Sequence, residues 1–436
     1  MGTQVTAFFA RAGGAFGANL VSAGLTFGLH IVLARILGET EYGIYAYFLT
    51  WITIIALFTK LGFDTALVRY IPEYSKSSQW QLLFGVIQRS RRVCGWLAAL
   101  ISAGLAGILV SGIFDLFTTS WWTFATGLIV LPILVDTHLL QAVLRGLHMV
   151  PKNELPDRVI RPAVMLALIA AAVAFGFALS APKAMFLHLC GLLVAYAVAH
   201  RWMTRSMPKE CRFIRGEFRT RAWLTTAFPL AGVASMHLAL ANIDILMIGA
   251  LIETTDAGVY SVAARVAVFV IFALTAVNAI AAPVIAENFN SSSRNALQRL
   301  LTRSAQLNLV FAGLVALALG LFGRGILEWF GPQFVEGYTA LIILCMGHVV
   351  NAACGSVGSM MTMTGHERAA AKILLGAVAI NLIANILLIP IWGMVGAAMA
   401  TSGTTVFWNL LMLDFTWRHL GINVSAVPLG NKPRWL

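Results

Sequence analysis

The sequence has few charged residues and few cysteines for its length. Only 11% of its 436 residues are Asp, Glu, Lys or Arg, whereas 59% are hydrophobic and the mean hydropathy is +0.83. A soluble domain needs a polar exterior, so this composition excludes one. The five cysteines lie mostly within or beside apolar segments without metal-ligand spacing. We interpret them as small buried side chains rather than as disulfides or metal ligands.

Motifs of nucleotide-driven and metal-dependent proteins are missing. No lysine follows a glycine, so no phosphate-binding loop ends in Gly-Lys-Ser or Gly-Lys-Thr. Neither His-Glu-x-x-His nor a dinucleotide-binding fingerprint is present. We therefore expect no cofactor and no metal. Any uphill transport would have to be driven by an ion gradient, the membrane potential or consumption of the product.

Apolar stretches recur along the whole chain, each long enough to cross a bilayer of about 30 Å as a helix. They predict an all-α polytopic membrane protein with about twelve transmembrane helices. The predicted spans are 14–36, 43–66, 91–114, 120–143, 160–180, 183–203, 224–250, 258–283, 305–327, 337–361, 371–390 and 394–416. The fifth and sixth are separated only around Ala181 and Pro182, so eleven or thirteen spans remain open.

The positive charges lie on one side of the predicted membrane. Of the 30 Lys and Arg residues, 25 fall at the N-terminus, in the C-terminal tail, or in loops after even-numbered spans and the span ends that adjoin them. The opposite set holds only Lys183 and Arg324, each near the end of a predicted span. This asymmetry predicts that both termini are cytoplasmic, and it explains the net charge of +12 without a nucleic-acid partner. The richest loop, 201–221, is expected to lie on anionic lipid headgroups.

An internal repeat recurs at an offset near 214 residues. The run LGETEYGIY at 37–45 is echoed by LIETTDAGVY at 251–260, with one insertion. Two parallel repeats are a common transporter plan, with substrate bound between the halves. We expect an N-terminal six-helix bundle at 1–203, a basic cytoplasmic linker at 204–223, a C-terminal six-helix bundle at 224–416 and a cytoplasmic tail at 417–436. Chance similarity of two helix hairpins is the alternative.

Four motifs carry a resemblance to a known family. They are LARILGETEYGIY at 33–45, LGFDTALVRYIPEY at 61–74, NIDILMIG at 242–249 and AGVYSVAAR at 257–265. These resemble the polysaccharide-transporter family, the flippases of O-antigen or exopolysaccharide units. That family lies within the multidrug, oligosaccharidyl-lipid and polysaccharide exporter superfamily.

The resemblance implies two six-helix bundles around a central cavity with alternating access. It also implies an undecaprenyl-diphosphate-linked oligosaccharide as substrate and the bacterial cytoplasmic membrane as location. Membrane lipids, and polysaccharide assembly enzymes, would be the other partners. Related flippases hold the diphosphate with cationic residues, which directs attention to the few charges inside the predicted spans.

Arg265 is the leading substrate-binding candidate. It lies seven residues beyond Gly258, hence roughly 10 Å below the outer end of its span at 1.5 Å rise per residue. A guanidinium suits a diphosphate because its forked donors match pairs of phosphate oxygens. Asp244 lies at similar depth on the preceding span, so pairing between the two is the competing interpretation. Asp244 is also a candidate for ion coupling.

The remaining candidates have structural interpretations beside the functional ones. Arg35 lies near the outer interface, where it can bind substrate or reach lipid headgroups. Lys60 and Asp64, four apart on the second predicted span, are expected to pair, or to form a headgroup site. Asp136 can relay protons or take a buried hydrogen-bonded role. His30, which corresponds to Asp244 in the repeat, can couple ions or pack in the core.

Two other functions stay open at this point. An ion-coupled multidrug or metabolite antiporter of the same superfamily is the first, although proton-coupled drug exporters commonly carry an acid in the first span and this span has none. A membrane saccharide polymerase or ligase is the second, although such enzymes commonly place catalytic residues in a large external loop and the outer loops here are short. We therefore expect a transporter rather than an enzyme.

Overall fold

The computed structural model describes residues 2–111, 121–211, 214–288 and 294–427, and these are almost entirely helical. No β-strand occurs within those ranges. The helices are α1 (Gly2–Thr59), α2 (Phe63–Lys76), α3 (Trp80–Val110), α4 (Trp121–Gly146), α5 (Val150–Leu155), α6 (Arg161–Ala174), α7 (Ala181–Ser206), α8 (Thr220–Leu240), α9 (Ile243–Leu251), α10 (Thr254–Ala267), α11 (Phe272–Asn288), α12 (Arg294–Glu328), α13 (Tyr338–Cys354), α14 (Val357–Met363) and α15 (Glu367–Phe415). The all-α fold class is confirmed.

The two longest helices are each interrupted by a glycine between two predicted spans. In α1 the break is at Gly38, and in α15 it is at Gly393, where φ is +57° and ψ is −135°. Only glycine adopts such a φ without strain. A Cβ atom on Gly396 would lie 2.2 Å from the carbonyl oxygen of Leu388. In a straight helix these residues would be about 12 Å apart, so the chain folds back at Gly393.

Eight helical stretches within the described chain are long and apolar enough to cross a membrane. Val21–Thr59 and Glu367–Leu420 contain the two glycine breaks, and Ser235–Leu251 is a shorter apolar stretch. A polytopic membrane protein is therefore supported, while the count of twelve spans stays a prediction. The predicted end of span 3 (112–114), residue 120 of span 4, linker residues 212–213 and tail residues 428–436 lie outside the described residues.

Four predicted spans are discontinuous. Span 2 is broken at residues 60–62, between α1 and α2. Span 7 is broken at Ala241–Asn242, between α8 and α9. Span 8 consists of α10 and α11 joined by a 3₁₀ turn, Val268–Ile271. Span 10 is broken between α13 and α14. A hydropathy pattern averages over a window, so it does not register a few non-helical residues inside an apolar run.

The chain divides into two compact units, residues 1–235 and 236–436. The boundary lies inside α8, and the described part of the predicted linker 204–223 therefore belongs to unit 1. The linker is anchored there by Trp223, which is fully buried and donates an indole hydrogen bond to the Tyr74 hydroxyl at 2.9 Å. Glu217 N also donates to Gln81 O at 3.0 Å, which pins the linker to the start of α3.

The turn between the first two predicted spans is tied to a later helix of the same unit. A carboxylate oxygen of Glu41 accepts a hydrogen bond of 2.5 Å from the backbone N–H of Ala181, the first residue of α7. The first N–H groups of a helix have no partner within the helix, and the helix dipole favours an acidic side chain there. The acidic turn of the repeat motif therefore acts as a cap in unit 1.

Large apolar side chains divide into a buried and an exposed set. Tyr42, Tyr45 and Phe63 in unit 1 are buried, and so are Phe330 and Phe334 in unit 2. Exposed apolar residues include Trp96 and Leu100 on α3, Leu307 and Leu314 on α12, and a long series on α15. An exterior of this kind suits lipid rather than water as the surrounding medium.

Candidate functional site

Asp244 lies at the break between α8 and α9. The side-chain amide of Asn242 donates to Leu238 O at 2.8 Å and so caps the end of α8. Helix α9 then begins at Ile243, which places Asp244 in its first turn. The N-terminal end of a helix carries partial positive charge and favours a carboxylate. The break in the span therefore places Asp244 at a helix N-terminus, where the helix dipole stabilises a carboxylate.

The Asp244 carboxylate is buried and is held by neutral hydrogen-bond donors. Its Oδ1 accepts from the Asn385 amide at 2.9 Å, and its Oδ2 accepts from the Tyr260 hydroxyl at 2.8 Å. The Thr401 hydroxyl also donates to Oδ2. Only 3% of Asp244 is exposed. These four residues and Asn381 form what we call the Asp244 cluster.

The fold of α15 assembles this cluster. Asn385 lies before the Gly393 break and Thr401 after it, and in a straight helix they would be about 24 Å apart. The amide of Asn385 also donates to Asn381 Oδ1 at 3.1 Å, and the Asn381 amide donates to Thr401 Oγ1 at 3.2 Å. The two arms of α15 thus meet at Asp244 through a connected set of polar side chains.

The Asp244 cluster has no cation to match an ionised carboxylate. No Lys, Arg or His nitrogen lies within ion-pair distance of Asp244 among the described residues. The Asn385 Oδ1 atom is buried and has no hydrogen-bond partner. A buried carboxylate without a counter-ion is costly. A bound proton or a small cation would neutralise it, and oxygen ligands of this kind suit a hard cation rather than a transition metal.

The competing interpretation of Arg265, an ion pair with Asp244, is not observed. Tyr260 and Arg265 both lie on α10, five residues apart, so they are about 140° apart around the helix axis. Tyr260 faces Asp244, which leaves Arg265 on another side of the helix. Arg265 is half-buried, its Nε atom is buried without a hydrogen-bond partner, and no carboxylate of the described chain lies within ion-pair distance of it.

Unit 1 has a polar cluster at the equivalent position of the repeat, but its composition differs. Tyr45, which corresponds to Tyr260, makes a hydrogen bond of 2.9 Å with His188. The other ring nitrogen of His188 lies 3.4 Å from the Arg161 guanidinium, and Arg161 lies 3.2 Å from Asp157. His30, which corresponds to Asp244, makes a hydrogen bond of 3.1 Å with Tyr42. This cluster therefore contains its own cation.

Two other predicted charged candidates are held in ion pairs. Lys60 Nζ lies 2.7 Å from Asp64 Oδ2, as expected. The predicted shared helix is wrong, because α1 ends at Thr59 and the chain turns at Leu61 and Gly62, both of which have positive φ. The pair therefore bridges a turn.

Asp136 accepts two hydrogen bonds of 2.7 Å from Arg91, one at each carboxylate oxygen. Arg91, the first residue of predicted span 3, was not among the candidates. It gives Asp136 the buried hydrogen-bonded role rather than an open site. Arg35 is exposed, as the headgroup interpretation requires.

The chain is similar in sequence to proteins of polysaccharide assembly. The profile of a family described as polysaccharide biosynthesis protein matches residues 13–289, more than half of the chain. A probable flippase, AglR of Haloferax volcanii, is 29% identical over 164 residues, which is 36% of this chain and 34% of AglR. The chain thus matches about a third of the length of that curated relative.

The fold is similar to those of solved transporters. An inward-facing multidrug resistance MATE transporter of the MOP superfamily superimposes with a TM-score of 0.71 and 14% identity, covering 91% of this chain and 93% of the other. The lipid II flippase MurJ gives a TM-score of 0.66 and 16% identity, with coverages of 92% and 87%. A MOP superfamily transporter from Pyrococcus furiosus gives 0.64 and 14%, with 91% of both chains covered.

Proposed function

The chain belongs to the polysaccharide biosynthesis protein family, and from this premise we propose that it is a flippase for a lipid-diphosphate-linked oligosaccharide. The substrate would be an undecaprenyl-diphosphate-linked repeat unit of O-antigen or exopolysaccharide. The protein would move it across the bacterial cytoplasmic membrane by alternating access, with both termini in the cytoplasm. The similarity to AglR, a probable flippase, and to MurJ, the lipid II flippase, supports this class of activity.

The observation that carries the proposal is the unpaired state of Arg265. A guanidinium inside a membrane span is costly unless it meets an acid, a polar cavity or an anionic ligand. No acid of the described chain neutralises it, and its Nε has no hydrogen-bond partner. A diphosphate supplies both the negative charge and the paired oxygen acceptors that a guanidinium matches. Arg265 is therefore our first substrate-binding residue.

The other cations are weaker candidates. The Lys60 ammonium is engaged by Asp64 at 2.7 Å, so binding a headgroup would require it to exchange partners. Arg35 is exposed near the Gly38 break and is free to reach lipid. Neither has the combination of partial burial and missing partner that Arg265 has.

The Asp244 cluster is our proposed coupling site. Its carboxylate has neutral donors only, so occupation by a proton or an alkali cation would change the net charge of the cluster from −1 to zero. Charged and neutral states favour different packings, which is what a coupled transport cycle requires. His30 in unit 1 is the alternative coupling residue, but its hydrogen bond with Tyr42 gives it no comparable excess charge.

The flippase assignment can be tested by a leaflet assay with two substitutions of one residue. Reconstituted vesicles would receive a fluorescent lipid-diphosphate oligosaccharide, and the fraction accessible to an external quencher would be followed over time. We expect Arg265→Ala to slow translocation by at least tenfold and Arg265→Lys to retain part of the rate, because an ammonium preserves the charge but not the fork.

Arg299→Ala removes an exposed arginine of α12 and serves as the matched control, which should keep the wild-type rate. A wild-type protein that translocates none of several lipid-linked sugars would contradict the flippase proposal. Full activity of both Arg265 variants would leave a flippase but remove Arg265 from its site.

One observation favours a second function, an ion-coupled multidrug or metabolite antiporter. The Asp244 cluster provides a place for a coupling ion, and the fold is similar to that of multidrug resistance MATE transporters. Deletion of the protein should then raise susceptibility to several unrelated cationic drugs while surface polysaccharide stays normal. Loss of the polysaccharide without any drug phenotype would favour the flippase.

A further inference from the structure

A half-open cavity of about 430 Å³ lies between α3 and the C-terminal end of α7 in unit 1. On α3 it is lined by Phe84, Ile87 and Gln88, and its far wall includes Met203, Met207 and Cys211. The α3 residues lie at spacings of three and four and so share one helix face. We call this cavity the α3–α7 groove. Its walls are mainly apolar, and its volume falls in the range of ligand sites.

The polar groups of the groove lie at one place. Arg91 lines it together with Thr204, but both carboxylate oxygens of Asp136 accept hydrogen bonds from Arg91. The Arg91 charge is therefore already neutralised within the protein. The Thr204 hydroxyl donates back to Arg201 O at 3.0 Å. An anionic ligand in the groove would need other cations.

Both helices carry such cations next to the groove-lining residues in the sequence. Arg92 follows Arg91 on α3, while Arg201 and Arg205 lie on either side of Met203 and Thr204 on α7. All three are exposed, and none has an acid within ion-pair distance in the described part of the chain. Lys209 adds a fourth exposed cation, and Glu210 is the single acid beside it.

The groove lies where the lipid-facing surface of α3 begins. Trp96 and Leu100, about one and two turns beyond Arg92, are 74% and 70% exposed. An indole at this position is typical of the membrane interface. The groove is therefore at headgroup level, with apolar walls next to the hydrocarbon and cations next to the water.

We propose that the α3–α7 groove binds one anionic phospholipid. An acyl chain would lie against the apolar wall of Phe84, Ile87 and Met207, and the headgroup phosphate would be held by Arg92 and Arg205. Basic pockets between transmembrane helices bind anionic headgroups for these reasons. The occupant is a membrane lipid, separate from the transported molecule, and the proposal does not depend on the transport assignment.

The lipid would reinforce a junction already present in unit 1. The linker packs so closely on α3 that a Cβ on Gly85 would lie 1.9 Å from the Glu217 carbonyl oxygen, and a Cβ on Gly216 would lie 3.6 Å from the Gln88 side-chain oxygen. Gln88 lines the groove, so its occupant is next to the linker. A bound lipid would thereby connect α3, α7 and the linker.

Native mass spectrometry of the purified protein tests the site. Phosphatidylglycerol and phosphatidylcholine with identical acyl chains would be titrated against the wild type, Met207→Trp and Arg92→Gln/Arg205→Gln. We expect the wild type to retain phosphatidylglycerol preferentially. Met207→Trp fills the groove and should reduce binding of both lipids. The double variant should lose about thirty-fold in phosphatidylglycerol affinity, since each basic residue near an anionic surface contributes about 1 kcal/mol.

Arg368→Gln/Lys372→Gln is the matched control, because it removes the same charge from exposed positions in unit 2. It should leave phosphatidylglycerol binding unchanged. Equal binding of the two lipids by the wild type would overturn the proposal, and so would an equal loss in the control.

A second measurement uses the wild-type protein, so its result does not depend on whether a variant folds. Cys211, 2% exposed, lines the groove, so phosphatidylglycerol in nanodiscs should slow its alkylation relative to phosphatidylcholine. Cys94, buried away from the groove lining, is the internal reference. Alkylation of Cys211 that phosphatidylglycerol slows more than alkylation of Cys94 supports the site. Identical Cys211 alkylation rates in the two lipids would overturn it.

Discussion

Replacement of Asp244 by Asn and by Ala separates the charge of the buried cluster from its hydrogen bonds. Asp244→Ala removes the acceptor for Tyr260, Thr401 and Asn385 at once. Hydrogen bonds between membrane helices contribute about 0.6 kcal/mol on average and about 1.7 at most. Both substitutions remove the same charge, so loss of the three hydrogen bonds should make Asp244→Ala less stable than Asp244→Asn by about 2 to 5 kcal/mol, which corresponds to a Tm lower by roughly 5 °C or more.

Asp244→Asn should fold nearly as well as the wild type. The buried Oδ1 of Asn385 has no hydrogen-bond partner, so that side chain can turn and accept from the new amide. One hydrogen bond is exchanged for another, and removal of an uncompensated charge offsets the remaining loss. The change in stability should stay within about 1 kcal/mol. Transport by this variant should lose its dependence on a proton or alkali-cation gradient.

Two assays check this pair of predictions. Thermal unfolding in detergent, followed by exposure of the buried cysteines to a thiol dye, gives Tm for the three proteins. Vesicle transport with and without imposed proton and sodium gradients gives the coupling. Equal destabilisation by Asn and Ala would refute the reasoning, because it would mean that a resident counter-ion, and not the neutral donors, holds the carboxylate. Gradient-dependent transport by Asp244→Asn would remove the coupling role.

Three further predictions concern other residues. Arg91→Ala should lower Tm more than Arg91→Ala/Asp136→Asn does, because the single change leaves a four-fifths-buried carboxylate unpaired, and a double-mutant cycle should give a coupling of about 2 kcal/mol. Gly355→Ala should release the C-terminal segment and speed its hydrogen exchange, because the added Cβ would lie 2.2 Å from the Val424 carbonyl oxygen and φ is +72°; unchanged protection would contradict that packing. Arg35→Gln should change the free energy of unfolding by no more than about 0.5 kcal/mol and leave the translocation rate at the wild-type value, since the side chain is exposed. A large loss of rate in the vesicle assay would assign Arg35 to the substrate path.

Helices and their approximate order were predictable because their physical cause is local in sequence. Apolar runs of sufficient length must form helices in lipid, and the acidic turns at Gly38 and the break at Gly393 fall between the predicted spans. The breaks at Asn242 and Gly355 were not predictable in this way, because a single polar residue or glycine barely alters the mean hydropathy of a long apolar run.

Of the residues in the Asp244 cluster, the sequence predicted only Asp244 itself. Asp244 was identified because a carboxylate inside a span is costly. Its actual partners were missed, since Asn385, Asn381 and Thr401 are neutral and lie more than 130 residues away in the sequence. Two asparagines four apart within one predicted span are a usable signal, because they share a helix face. The competing interpretation, pairing of Asp244 with Arg265, rested on depth alone and did not consider the helix face.

Tyr45 was a further missed signal. The repeat aligns it with Tyr260, and both hydroxyls bond to a buried polar group of their own unit. A tyrosine retained at equivalent positions of two halves, within an otherwise apolar helix, indicates a hydroxyl that is used in both. The repeat alone was thus sufficient to predict a polar site behind each tyrosine, although not its composition.

The two clusters differ in charge, and this difference indicates which half of the protein would couple transport to an ion. In unit 1 the chain supplies a cation itself, since Arg161 lies 3.2 Å from Asp157 and 3.4 Å from His188. The Arg161 guanidinium already neutralises Asp157 there, so a second cation would find no excess negative charge. In unit 2 the carboxylate of Asp244 has no such neighbour among the described residues, so a mobile cation or proton has an electrostatic reason to enter. Under the proposed cycle, ion coupling therefore belongs to unit 2, and the tyrosine of unit 1 keeps a structural role on the same scaffold.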